Sequence, residues 1–122
     1  SALRTALPAE FDILSGDDSL TLPFMSAGAQ GVISVASNLV PKTVGEMVQA
    51  ALAGRYDDAR RLHFHWYPLF KDLFIEPNPV PAKTALALRG EMSPDVRLPL
   101  CEMSEPNRRK LEATLHSLKL LK

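Results

Sequence analysis

Two adjacent carboxylates, Asp17 and Asp18, follow Ser15-Gly16 directly and stand just ahead of an apolar run that begins at Leu20. Paired carboxylates can work as general acid and base, yet neighbouring side chains point apart, and no further group in the sequence supplies a partner. The same residues suit a helix start, where a side-chain oxygen accepts from orphan amides and the negative charge meets the positive end of the macrodipole. Capping of the helix that follows is the expected role of Asp18. For Asp17, capping and a ligand-facing role both stand. Gly16, lacking a Cβ, lets the backbone approach a ligand closely or take a positive φ.

The other chemistry-bearing side chains point to structure. His63 and His65 are two apart on a helical stretch, so they do not share a face, and no cysteine or carboxylate has ligand spacing to them. Helix-packing or surface roles are expected, and neither a metal nor a cofactor. Arg60-Arg61 and Arg108-Arg109 read as solvated helix faces. Cys101 is the single cysteine, without a nearby histidine, and reads as an inert small hydrophobe. With no disulfide framework available, the reducing cytoplasm is the expected compartment. Lysine plus arginine equals aspartate plus glutamate at 14 each, so no net charge draws the protein to nucleic acid or to an acidic membrane. No run approaches the ~18 apolar residues that cross a bilayer, and the first residues carry no signal-peptide layout.

The elements that would position the carboxylates are short. Phe11 to Leu14, between Pro8 and Gly16, has the size of a buried strand, and Gly31 to Ala36 is a second strand richer in β-branched residues. Residues 20 to 30 between them fit a short helix, with Pro23 near its start and Gly28 as its stop. Strand, helix and strand within this span make a βαβ unit with parallel pairing. Asn38 then suits an Asx turn. Pro41 opens a helix that Gly54 closes. Another begins near Tyr56, with Ala59, Leu62, Trp66, Leu69, Phe70 and Leu73 forming an apolar stripe. Residues 76 to 81, with three prolines, read as a stiff connector. Residues 83 to 90 form a short helix, 92 to 100 an irregular crossing, and a last helix is capped near Ser104.

Two parallel strands do not close an architecture, because parallel sheets need several strands with both faces covered. No third strand of comparable strength is present. Leu3 and Leu7 read as the last turn of a helix, and the chain starts in mid-pattern without Met, so a fragment of a larger sheet is expected.

Four motifs in order and spacing, LSGDD at 14 to 18, GVISVASN at 31 to 38, LFIEPNPVPAK at 73 to 83 and RLPL at 97 to 100, resemble the C-terminal portion of the dihydrodipicolinate synthase family, within the pyruvate-dependent class I aldolases. The resemblance covers essentially the whole chain. It implies an α/β fold, the C-terminal part of a (β/α)8 TIM barrel (its last two strands) followed by a C-terminal helical extension. The barrel part would be residues 1–54 and the extension 55–122. An intact barrel needs about 250 residues, so the N-terminal half would come from elsewhere.

By the same resemblance the activity is a lyase of lysine (diaminopimelate) biosynthesis. A lysine amine forms a Schiff base with pyruvate, and the derived enamine attacks aspartate semialdehyde. The family carries that lysine on strand six, a tyrosine on strand five and threonines nearer the N-terminus, and nothing here matches them. Lys42, Lys71, Lys83, Lys110, Lys119 and Lys122 fall in helices, helix starts or the tail, so no catalytic residue is assigned to this chain and the chain alone is expected to be inactive. The resemblance makes Ile33 a substrate-binding residue through its main-chain carbonyl, places Gly16 beside the aldehyde pocket, and adds Asp17 as a third binding candidate. Ser34 and Asn38 follow on the same strand and loop. A structural salt link is expected of Lys83. Family members are usually homotetramers, and the segment from Met25 to Gly28 falls at the weaker interface, with Ala27 small there. The alternatives are N-acetylneuraminate lyase or a keto-deoxy-sugar aldolase of the same superfamily, and, from another class, a non-catalytic helical interaction domain.

Overall fold

The computed structural model describes residues 1–121 as two compact units, Ser1–His65 and a second from Trp66 onward. The first contains α1 (Ala2–Ala6), β1 (Leu14–Ser15), a 3-10 turn (Asp18–Leu20), α2 (Thr21–Ser26), β2 (Gly31–Val32), a second 3-10 turn (Ala36–Asn38) and α3 (Pro41–Leu52). Helix α4 (Tyr56–Asp72) is continuous through Pro68, and α5 (Val80–Leu88) and α6 (Glu105–Ser117) follow.

β1 and β2 pair in parallel, with Leu14 opposite Gly31 and Ser15 opposite Val32. The ladder is prolonged at both ends, by the Gln30 amide donating to Ile13 O (2.9 Å) and the Ile33 amide to Ser15 O (2.9 Å). Gln30 also uses its side chain, accepting from the Ile13 amide at 2.7 Å. The strands are nevertheless shorter than the sequence pattern predicts. Before β1, the Phe11 amide turns back onto Pro8 O (3.1 Å), which leaves Phe11 exposed and out of the ladder. After β2, residues 34 to 36 leave the ladder and lead into the 3-10 turn at Ala36–Asn38, drawn off by hydrogen bonds from elsewhere. Their β-branched content was therefore a poor guide, since propensity yields to tertiary bonding.

Helix α2 lies against both strands and α3, burying Thr21, Leu22 and Met25. Pro23 sits in its first turn, where a missing N–H costs no helix bond. Gly28 ends it at φ 95°, with its amide on Met25 O and the Ala29 amide on Phe24 O, both 3.0 Å. That pair of bonds is the Schellman pattern, which favours glycine at its left-handed position. Helix α3 starts on Pro41 and buries Val44, Met47, Ala50 and Ala51, a stripe of helical period that packs on α2 and on the turn at 36–38. Tyr56 donates its hydroxyl to Met25 O at 3.4 Å.

Along α4, Ala59, Leu69 and Phe70 are fully buried, as is Leu73 just beyond its end, whereas Leu62 and Trp66 are half-buried. Asp57 and Asp58 occupy the first turn and pair with Arg60 and Arg61, as befits the solvated face expected of those arginines. In the second unit α5 packs on α6. Helix α5 begins at Val80, inside the stretch the prolines had marked as a connector, because Pro81 occupies the first turn where the ring is harmless. Asp72 is buried, accepts from the Thr114 hydroxyl at 2.7 Å and pairs with Lys110 at 3.4 Å.

Ser104 precedes α6 as expected, but its hydroxyl makes no capping bond. Glu76 does the anchoring instead: Oε1 accepts from the Ser104 amide (3.0 Å), the Ser104 hydroxyl (2.6 Å) and Asn107 Nδ2 (2.7 Å). These bonds, the Ser104 hydroxyl foremost and Asn107 next, hold the Glu76 carboxyl below its ordinary 4.5, against a smaller opposing push from burial. Helix α6 closes in the Schellman pattern too, but with Lys119 at φ 58° in the glycine position.

Two stability tests follow from these ends. A folded-state value below the unfolded one means that the Glu76 contribution is complete above pH 4.5 and is lost as the pH falls through the folded value. Thermal melts of Glu76→Gln at neutral pH should lie below wild type, and the gap should close as the pH is lowered past 4.5. Lys119→Gly should raise stability by about 0.5–1 kcal/mol in denaturant titration, since a non-glycine residue in the left-handed region is strained.

Candidate functional site

Parallel pairing sends the chain out of β1 and out of β2 at the same edge of the sheet, so the Ser15-Gly16-Asp17-Asp18 loop and the Ile33-Ser34 exit are neighbours. Ser15 is buried; its hydroxyl donates to Asp17 O (2.8 Å) and accepts from the Asp17 amide (3.2 Å), which tightens the loop. Asp17 is an N-cap: Oδ1 accepts from the Ser19 amide (2.7 Å), the Ser19 hydroxyl (2.7 Å) and the Leu20 amide (3.3 Å).

Asp18 departs from its expected role. It does not cap the turn that contains it. Its side chain is 1% exposed and reaches across to the exit of β2, where Oδ1 accepts from the Ser34 hydroxyl and Oδ2 from the amides of Val35 (3.0 Å) and Ala36 (2.9 Å). The 3-10 turn at Ala36–Asn38 has no side-chain cap of its own, since its N-cap residue is Val35, and the carboxylate of a distant segment takes that place. Ser34 Oγ also accepts from the Ser37 amide (2.8 Å), and the Ser37 hydroxyl donates to Ser34 O (2.9 Å). Asn38 donates Nδ2 back to Val35 O at 2.9 Å, a local bond but not the Asx turn expected of it.

Gly16 is exposed and its backbone is not in the left-handed region, so of the two reasons for a glycine here only open access applies; an added Cβ would meet nothing within 4 Å. Ile33 has its amide held by Ser15 O and its side chain 72% exposed. Its carbonyl oxygen accepts no hydrogen bond from the described residues. The edge therefore presents Gly16, Asp17 and the Ile33 peptide, backed by a buried polar layer of Ser15, Asp18 and Thr21.

The remaining candidates lie outside this edge. His63 is buried, its ring edge-on to Phe64 with centroids 5.5 Å apart, and burial holds its pKa below the ordinary 6.5. His65 is exposed, and the described residues hold no cluster of three metal-ligating side chains. Cys101 is exposed rather than packed as a small hydrophobe, because it lies in the irregular crossing and on no helix face. Lys83 makes no salt link with the described residues: its amine donates to the backbone carbonyl of Asp95, the carbonyl being what the crossing brings within reach. Lys42, Lys71, Lys83 and Lys110 lie on helices and Lys119 in the turn after α6; Lys122 lies outside the described residues. No described helix is long and apolar enough to cross a membrane.

The reach of Asp18 and that of Glu76 were the two features missed from sequence. Both run from a carboxylate to amides 17 to 31 positions away, and no local pattern marks such a pairing.

Known proteins resemble this chain in sequence and in backbone fold. A sequence model of the dihydrodipicolinate synthetase family matches residues 1–118. The 4-hydroxy-tetrahydrodipicolinate synthase of Methanocaldococcus jannaschii is 50% identical over 113 residues, which are 93% of this chain and 39% of that relative. That of Geobacter sulfurreducens is 49% identical over 112 residues, 92% of this chain and 39% of its own length. Among solved structures, the 4-hydroxy-tetrahydrodipicolinate synthase of Methylacidiphilum fumariolicum SolV superposes with a TM-score of 0.94 at 56% identity, covering 96% of this chain and 39% of that one. The dihydrodipicolinate synthase of Aquifex aeolicus gives 0.94 at 49% identity, covering 98% and 41%. The chain thus spans about two fifths of the length of the proteins it matches. With its parallel βαβ unit and its LSGDD and GVIS segments meeting at one strand edge, it belongs to the dihydrodipicolinate synthetase family.

Proposed function

We propose that this chain is part of a pyruvate-dependent Schiff-base lyase, condensing pyruvate with aspartate semialdehyde in lysine (diaminopimelate) biosynthesis, in the cytoplasm and as a homotetramer. Residues 1–54 supply the last two strands and helices of a (β/α)8 barrel, and residues 55–122 its C-terminal helical extension. The remaining strands come from sequence not contained in these 122 residues.

The observation that carries the reading is the shared edge at which β1 and β2 end, within a chain about half identical to synthases over nearly all its length. Barrel enzymes assemble their sites where strands end, because the βα loops converge there. Two parallel strands of two residues cover neither face of a sheet. Leu14 and Ile33 stand exposed beside the ladder, as strand residues do when further strands and their side chains belong next to them.

In this reading the Ile33 carbonyl faces the pyruvate end of the site, and Gly16 and Asp17 border the aldehyde. The chemistry begins with a lysine that must lose its proton to attack the pyruvate ketone, expelling water to leave the Schiff base. Deprotonation next to the imine carbon gives an enamine, whose carbon bonds to the aldehyde carbon while the aldehyde oxygen takes up a proton; the amine of the semialdehyde then attacks the imine carbon, closing the ring and releasing the lysine amine. No described lysine stands on a strand end, so the amine comes from the rest of the barrel. The chain contributes pocket walls, not the nucleophile.

Borohydride reduction in the presence of pyruvate tests this directly. A preparation in which the chain is joined or assembled with the remaining barrel should yield one lysine adduct, located by peptide mass mapping outside residues 1–122, and the 122-residue chain alone should yield none. An intact preparation without adduct, or an adduct on Lys83 of the lone chain, overturns the reading. Gly16→Ala supplies a second test: with open space around the new Cβ, stability should change by less than about 0.5 kcal/mol. The KM for the aldehyde should rise at least severalfold while that for pyruvate holds.

A further inference from the structure

The exit of β2 is held from both sides. On one side the Ile33 amide is bonded to Ser15 O; on the other, Ser34, Val35 and Ala36 all donate to the Asp18 carboxylate. The peptide joining Ile33 to Ser34, whose carbonyl belongs to Ile33, lies between these anchors. Turning that carbonyl turns the peptide plane between Ile33 Cα and Ser34 Cα, and the residues at both ends are held: Ile33 through its amide, and Ser34 through a hydroxyl that donates to Asp18 and accepts from Ser37. A carboxylate this deeply buried is a costly way to hold a loop unless its oxygens are satisfied, and here three donors satisfy them. Ordinary packing would hold the loop with apolar contacts; a three-point polar clamp fixes direction as well as distance.

We infer that Asp18 is the positioning residue of the site, setting the direction of the Ile33 carbonyl toward bound pyruvate without itself touching substrate. The inference rests on the Schiff-base reading given above. Asp18 is shut off from solvent, whereas the carbonyl it orients sits at the exposed strand edge. Its action is therefore transmitted through the Ser34-Val35-Ala36 backbone.

The test uses the complete enzyme, with steady-state kinetics in each substrate, borohydride trapping and thermal melts on the same samples. Misplacing a positioned group by an ångström costs on the order of 100-fold. Asp18→Ala should therefore lower kcat/KM for pyruvate by about that factor, with a raised pyruvate KM and an unchanged aldehyde KM. Asp18→Asn keeps one oxygen for the Val35 and Ala36 amides and should recover activity to within about tenfold of wild type. Ser34→Ala, which removes one arm of the clamp and leaves both amides bonded, covers the case in which Asp18→Ala does not fold. It should raise the pyruvate KM severalfold at a near-normal melting temperature. A merely structural role would lower kcat in proportion to the folded fraction and leave both KM values alone; that outcome, in Asp18→Ala or in Ser34→Ala, overturns the inference. Wild-type enzyme that traps no pyruvate overturns the Schiff-base reading and this inference with it, whereas normal trapping with unaltered pyruvate kinetics in the variants overturns the inference alone.

Discussion

A carboxylate removed from water must find donors or cost several kcal/mol, and Asp18 finds three on a segment 16 to 18 residues further along the chain. That demand shapes the first unit. It ends β2 after two residues, creates the turn at Ala36–Asn38 on which α3 packs, and ties the loop after β1 to the loop after β2 at the edge where both strands stop. The hydrogen bonds of the two-residue ladder alone would be a weak tether.

The second unit uses the same device at a more exposed place. Glu76 gathers the start of α6 through Ser104 and Asn107 much as Asp18 gathers the turn after β2. In both cases the residue at the N-cap position, Val35 or Ser104, makes no side-chain capping bond, and an acidic side chain from a preceding loop meets the positive end of the turn or helix. Capping from a distance joins two segments as well as satisfying orphan amides. The C-terminal ends are handled locally by the left-handed pattern at Gly28 and, with a non-glycine residue in the same geometry, at Lys119.

For function, the useful division is between what faces the strand edge and what holds it. Gly16, Asp17 and the Ile33 peptide face it; Ser15, Asp18 and Thr21 lie behind them, buried. Asp17 serves both purposes, since its cap fixes the 3-10 turn while the residue remains half-buried rather than enclosed. The paired carboxylates of the SGDD loop therefore act singly and in opposite directions, as the alternation of neighbouring side chains requires. The described lysines sit on helices and in the turn after α6, none of them at the strand edge.

Residue type and spacing were enough to determine the parallel βαβ order, the proline-opened and glycine-closed ends of α2 and α3 and the start of α6 near Ser104, because each depends on sterics and hydrogen bonds within a few residues; for Asp17 they left a cap and a ligand-facing role both open. The same is true of the family, whose four motifs are read in line. Tertiary structure alone decided how short the strands are, that α5 begins at Val80, that Asp18 turns inward and that Lys83 meets a carbonyl instead of an acid. Those outcomes depend on partners brought together by folding, 12 to 18 positions apart for Lys83 and Asp18, and a polar side chain's choice among distant donors and acceptors is made only when the chain has brought them within 3 Å or so of one another.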